Sequence, residues 1–199
     1  MRSLGLTTLL CLQTGQAAHW FNHEKAYSEL ARVLKPGGTV AYWGYAYMFL
    51  PEAPEVSQKI LDLGTKKLKT YWEPGREGPE SLYDSLEFPI TPDWDADSFQ
   101  RYKFDTTPSK AYAPTAGDLP PPPETIHHSV SMGKRMSKED LVNSLKTWSS
   151  VHNYTEQHPD SENIIDSFYR EVKDTLPSEE PLEVQWPIGM LLMKKKKQA

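Results

Sequence analysis

The stretch from Leu9 to Trp43 limits what this chain can fold into more than any other. Leu9, Leu10 and Leu12 make a short apolar run that ends at Gly15, long enough for a buried strand and too short for a helix. Asn22 is placed to cap a helix whose apolar residues Ala26, Leu30, Val33 and Leu34 recur at helical spacing. Lys35-Pro36-Gly37-Gly38 stops that helix, because proline disfavours helix at the residue before it and glycine accepts a left-handed C-cap. Thr39 to Trp43 resumes as a β-rich apolar run. A strand, a helix and a strand on short connections predict a right-handed parallel crossover. Ligands of such sheets bind beyond the carboxyl ends of the strands, which puts Gln16 to Phe21 and Gly44 to Met48 on one functional rim.

Composition narrows the function classes. A length of 199 residues suits one domain with its own core, and a net charge of −5 argues against a nucleic-acid groove, which needs a basic face. The single cysteine, Cys11, has no internal partner and lies in a predicted strand, so a buried inert thiol in a reducing cytoplasm is expected. Arg2, the apolar segment Leu4 to Leu12 and the small residues Gly15, Ala17 and Ala18 imitate a secretory leader. Thr7 and Thr8 weaken its apolar core, and cleavage there would cut through the rim loop, so the leader reading is rejected. No segment is long and apolar enough to suggest a membrane span.

Two motifs on this frame carry a resemblance. Gln16-Ala17-Ala18-His19-Trp20-Phe21, followed by Glu29-Leu30-Ala31-Arg32-Val33-Leu34-Lys35-Pro36-Gly37-Gly38, resembles the second half of a class I S-adenosylmethionine (SAM)-dependent methyltransferase. The Arg32 to Gly38 signature is shared widely in that superfamily; joined to Gln16–Phe21 it resembles the trans-aconitate methyltransferase-like branch. Tyr71-Trp72-Glu73-Pro74-Gly75-Arg76, Lys146-Thr147-Trp148-Ser149-Ser150 and Glu183-Val184-Gln185-Trp186-Pro187 extend the match in order to about Lys194. The fold this implies is α/β, the C-terminal half of a Rossmann-like methyltransferase with helical and irregular insertions over the substrate. One partial domain is expected, divided into a strand–helix–strand core at 4–44, an insertion and Pro-rich connector at 45–136, and a lid helix, a second helix and a final strand at 137–194. Such enzymes open with a Gly-x-Gly-x-Gly turn, and none occurs in these 199 residues. The resemblance therefore implies an N-terminally truncated member lacking on the order of 100 residues of the front of the fold, with Met1 to Thr8 foreign to the family.

Down the chain, Tyr42, Trp43, Tyr45, Tyr47, Met48 and Phe49 crowd the end of the second strand, as a core edge, as pocket walls, or as both. Pro54 to Leu68 reads as a helix buried through Val56, Ile60 and Leu63. Phe99 to Phe104 alternates as a strand, and Ser109 to Glu124, with its four consecutive prolines, reads as a stiff connector ahead of an SH3-type ligand. His19 and His23 have i, i+4 spacing but straddle the cap at Asn22, so no shared face and no metal site is expected. Ser137 caps a helix with Leu141, Leu145 and Trp148 inward; a helix through Ile165, Phe168 and Val172 and a strand from Glu183 to Met193 complete the chain.

The chemistry implied by the resemblance needs little acid or base, because SAM already carries its leaving group and a carboxylate acceptor is ionised at neutral pH. No catalytic acid or base is assigned. Gln16, Ala17, Ala18, His19 and Trp20 are the expected contacts to the cofactor, SAM. Trp43, Tyr71, Trp72, Arg76, Trp148 and Ser149 are the expected substrate contacts, with Arg76 as the carboxylate clamp. The expected partner is a small carboxylated molecule, with neither nucleic acid nor membrane. Two functions follow: a SAM-dependent O-methyltransferase of a trans-aconitate-like acid, or a catalytically silent remnant serving as a binding module.

Overall fold

The computed structural model describes residues 9–86, 91–105, 125–130 and 132–197. The predicted crossover is present. Strand β1 (Leu9–Gly15) pairs in parallel with β2 (Leu34–Tyr45), and α1 (His23–Val33) links them. The Asn22 side chain accepts a hydrogen bond from the Lys25 N–H at 3.1 Å, fixing the start of α1 as its cap. The buried face of α1 is rotated from the expected one: Tyr27, Leu30 and Ala31 are buried and Ala26 and Val33 only half so. Tyr27 turns inward because its ring stacks on Tyr42 of β2, centroids 6.2 Å apart. The helix leaves directly into extended chain at Leu34, so no glycine caps it. Gly37 instead takes its positive φ of 77° inside β2, where the pairing with β1 slips between Leu9 and Cys11.

The central sheet has the order β1-β2-β7-β3-β4, from β3 (Trp94–Phe104), β4 (Thr125–His128) and β7 (Ile188–Lys195). β7 runs antiparallel to both β2 and β3. A two-stranded sheet pairs β5 (Met132–Met136) with β6 (Leu182–Trp186). The single closing strand expected from Glu183 to Met193 is thus two strands in two sheets, split at Pro187, which has no N–H to continue a ladder. The helical part comprises α2 (Pro54–Asp62), the short α3 (Glu77–Glu80), α4 (Lys138–Lys146), α5 (Ser149–Gln157) and α6 (Ile164–Val172). The predicted inward residues Val56, Ile60, Leu63, Leu141, Leu145, Ile165, Phe168 and Val172 are buried in one cluster there. The connector expected at Ser109 to Glu124 lies outside the described residues. No helix among the described residues is long and apolar enough to cross a membrane.

One expectation reverses. Cys11 is exposed, because β1 is an edge strand of the sheet. β3 includes the strand expected at Phe99 to Phe104, and on it Arg101 and Lys103 are the buried residues, while Tyr102 and Phe104 are half-buried on the other face. The buried cations hold the turn at residues 81–86 against the sheet. Arg101 donates to the Tyr83 and Leu86 carbonyls, and the Lys103 ammonium lies 2.5 Å from Asp84 Oδ2. That turn also sits so close to β7 that a Cβ on Gly189 would fall 2.3 Å from the Leu82 carbonyl oxygen. Removing one partner of a buried ion pair leaves an uncompensated charge. Asp84→Ala is therefore expected to lower stability by about 3 kcal/mol in urea unfolding; a loss near zero would show that water reaches Lys103.

Candidate functional site

A cavity of about 550 Å³ opens at the carboxyl ends of β1 and β2. Gln16, His19 and Trp20 form one wall, Tyr45 to Met48 a second, and Trp72, Glu73, Arg76, Trp148 and Ser149 close it. The two rim segments are tied by a side chain. Gln16 Oε1 accepts from the Tyr45 N–H at 2.8 Å and its Nε2 donates to the Tyr45 carbonyl at 3.2 Å. The amide of Gln16 is thereby spent on positioning the end of β2.

Of the residues expected to meet a cofactor, Gln16, His19 and Trp20 line this cavity, and Trp20 is 58% exposed at its mouth. Ala17 and Ala18 do not line it; Ala18 is fully buried in the cluster under α1. Of those expected to meet a substrate, Trp72, Arg76, Trp148 and Ser149 line it. Trp43 does not, since strand alternation turns it to the opposite face from Tyr42 and its ring covers Gly15. Tyr71 does not either: its hydroxyl is 2.8 Å from His158 Nε2 and its ring packs edge-on to Tyr154.

Arg76 sits among rings. Its guanidinium carbon is 4.3 Å from the Trp72 ring centroid and 4.8 Å from that of Tyr47. Trp148 completes the aromatic group, 5.5 Å from each of those rings. Arg76 Nε donates to Glu80 Oε1 at 3.3 Å, and the Tyr47 hydroxyl donates to the same oxygen at 2.5 Å. Burial, chiefly, pushes the Tyr47 phenol well above its ordinary range.

Sequence reasoning missed Glu73, Glu80, Tyr47's bond and Asn153. Glu73 lies within the Tyr71–Arg76 segment, and Ser149 and Asn153 stand one turn apart on α5, which is the only signal that joined them. Ser149 Oγ donates to Glu73 Oε2 at 2.6 Å, and Asn153 Nδ2 faces Oε1 at 3.4 Å while also donating to the Tyr71 carbonyl at 2.8 Å. Burial raises the Glu73 pKa, yet the hydrogen bonds from Ser149, its own backbone and Asn153, with the Arg76 charge, outweigh it and leave the carboxyl below its ordinary value. Burial, then the Arg76 charge, lower the pKa of His19, with Glu73 opposing, so the imidazole is neutral near pH 7. His19 and His23 lie on separate elements, the turn at 18–20 and α1, and both line a smaller cavity of about 170 Å³ with Tyr83, whose phenol burial pushes up to about 12. Among the described residues no three His, Cys, Asp or Glu are arranged to hold a metal ion.

No family model matches the chain. A solved structure titled "The Structure of a Putative Type II Methyltransferase from Anaeromyxobacter dehalogenans" superposes with a TM-score of 0.67, over 98% of this chain and 68% of that one, at 22% identity. The fold is a Rossmann-like methyltransferase fold. A Dictyostelium discoideum protein named "Putative methyltransferase" is 22% identical over 191 residues, 92% of this chain. The chain spans 59% of the length of that relative.

The Glu73 carboxyl gives a direct check of this geometry. Its pKa is lower folded than unfolded, so it adds stability above the ordinary carboxylate range, and that contribution is lost as pH falls through the folded value. Ser149→Ala is expected to move the Glu73 titration, followed by carboxyl carbon NMR, to higher pH. An unmoved titration would mean that the Ser149 bond does not hold the charge.

Proposed function

We propose that this chain forms the acceptor side of a SAM-dependent O-methyltransferase that acts on a small carboxylated molecule of the trans-aconitate type. The observation that carries the reading is Arg76, a half-buried guanidinium stacked on Trp72 and Tyr47 at a cavity shared with His19 and Trp20. Its Nε is engaged by Glu80, so Nη1 and Nη2 are the pair that a ligand carboxylate would meet end-on. SAM, when bound, supplies a methyl group activated by a sulfonium leaving group. The residues here fit a cationic donor: His19 is neutral and does not repel it, and Trp20, Trp72 and Trp148 offer aromatic faces. Arg76 orients the acceptor carboxylate, which attacks without a base because it is already ionised, and no proton needs a destination. The tryptophans exclude water, and alignment supplies the rate.

The relatives named as methyltransferases support the coarse activity, and the residues quoted above support the trans-aconitate-like branch. In this reading the adenosyl end of SAM is held by a Gly-x-Gly-x-Gly turn outside the 199 residues. Each lost hydrogen bond is worth about 1 kcal/mol and about 1.4 kcal/mol is a decade in affinity. The 199-residue chain alone is therefore expected to show no SAM binding by calorimetry, and a form carrying that turn to bind and to methylate trans-aconitate. In that form Arg76→Gln is expected to raise KM for the acid by roughly 10- to 100-fold, the worth of hydrogen bonds to a charged group. Unchanged KM, or micromolar SAM binding by the chain alone, would contradict the reading; an extended form without methyl transfer would favour a silent binding module.

A further inference from the structure

One wall of the cavity serves neither the Arg76 clamp nor the aromatic faces that fit a cationic donor. Met48, Trp186 and Met132 line it, and the backbone sets them in one row. The β5–β6 ladder pairs Met132 directly with Trp186. An antiparallel bridge joins Phe49 to Gln185, with N–H to carbonyl bonds of 2.9 Å in both directions, and so brings Met48 beside Trp186 on its other side. Exposure rises along the row, from 3% at Met48 through half-buried Trp186 to 36% at Met132. The row therefore leads from the inside of the cavity to its mouth. It carries no charge: the charged residues of the lining, Glu73 and Arg76, both belong to the 71–76 segment. Two thioethers and an indole adapt to apolar groups of varied shape, and apolar surface left open inside a cavity marks ligand contact.

We infer that this row is a subsite for an apolar substituent on the acid that Arg76 holds. The ligand is then a small carboxylic acid bearing an alkyl or aryl group, its carboxylate at Arg76 and its apolar group laid along Met48, Trp186 and Met132 toward the mouth. The inference rests on the carboxylate reading of Arg76 and deepens it by naming the substituent. An unsubstituted acid leaves the row in water. A substituted one removes apolar surface of both partners from water, a gain that scales with the area buried and adds to the contacts of the carboxylate.

The test is calorimetric titration of the 199-residue chain with succinate and with 2-butylsuccinate, which share both carboxylates and differ by one alkyl chain. The butyl compound is expected to bind at least about tenfold tighter, less than half of the free energy that four fully buried methylenes would give. Met132→Gln, which keeps the side-chain length and adds no charge, is expected to cut that preference at least about threefold. It is expected to leave succinate binding as it is, which also shows the variant folded. Ile126→Gln, at an exposed apolar residue that does not line the cavity, is expected to change neither. Equal or tighter binding of succinate, binding of neither acid, or a preference that survives Met132→Gln overturns the inference. A preference that Ile126→Gln lowers as much overturns it too, because the chain would then lie elsewhere. Arg76→Gln keeps the inference apart from the reading beneath it. Both acids are expected to bind that variant more weakly with the preference retained; unchanged binding of both refutes the clamp, while the preference still reports on the row.

Discussion

The site depends on one half-buried charge being kept where it is. Arg76 lies at the junction of the sheet end, through Tyr47, the Trp72 loop and the helical cluster that Trp148 joins. A guanidinium partly withdrawn from water carries a desolvation cost unless it is paired. Ring contacts return only about 0.5 to 2 kcal/mol each, so they do not hold it unaided. Glu80 supplies the balance, and the Tyr47 hydroxyl fixes Glu80 in turn. That chain of dependence explains why the short α3 follows the Pro74-Gly75 turn directly: it brings Glu80 back one helical turn beneath Arg76.

The sheet supplies the frame on which this junction is built. Gln16 ties the loop after β1 to Tyr45, and the buried Arg101 and Lys103 secure the 81–86 turn that follows α3. The local chain carrying Arg76 and Glu80 is thus held at both sides by polar groups satisfied inside the protein rather than by apolar packing alone.

Much of the frame was legible in the sequence because it is local. The β1–α1–β2 unit, the Asn22 and Ser137 caps and the inner faces of α2, α4 and α6 follow from spacing and cap chemistry within a dozen or so residues. The buried face of β3 was not, since alternation gives the period of a strand but not which face is covered. Apolar Tyr102 and Phe104 would ordinarily be turned inward; the carbonyls and carboxylate of the 81–86 turn reverse the preference by satisfying two cations. The site divides in the same way. Trp72 and Arg76 are neighbours in sequence, but the pairing of Glu73 with Ser149 joins residues 76 positions apart and exists only in the folded chain. Trp43 and Tyr71 have the right chemistry for a pocket wall and face elsewhere, because alternation and local packing set their directions.

The six tryptophans offer the most direct test of whether this cavity is where an acid binds. Trp20, Trp72, Trp148 and Trp186 line it, while Trp43 and Trp94 do not. Indole N–H signals, assigned by single substitutions and followed by NMR during titration with trans-aconitate, report each ring separately. The account predicts shifts among the four cavity signals, still signals for Trp43 and Trp94, and loss of the response in Arg76→Gln. Shifts confined to Trp43 or Trp94, or the same response without Arg76, would contradict it.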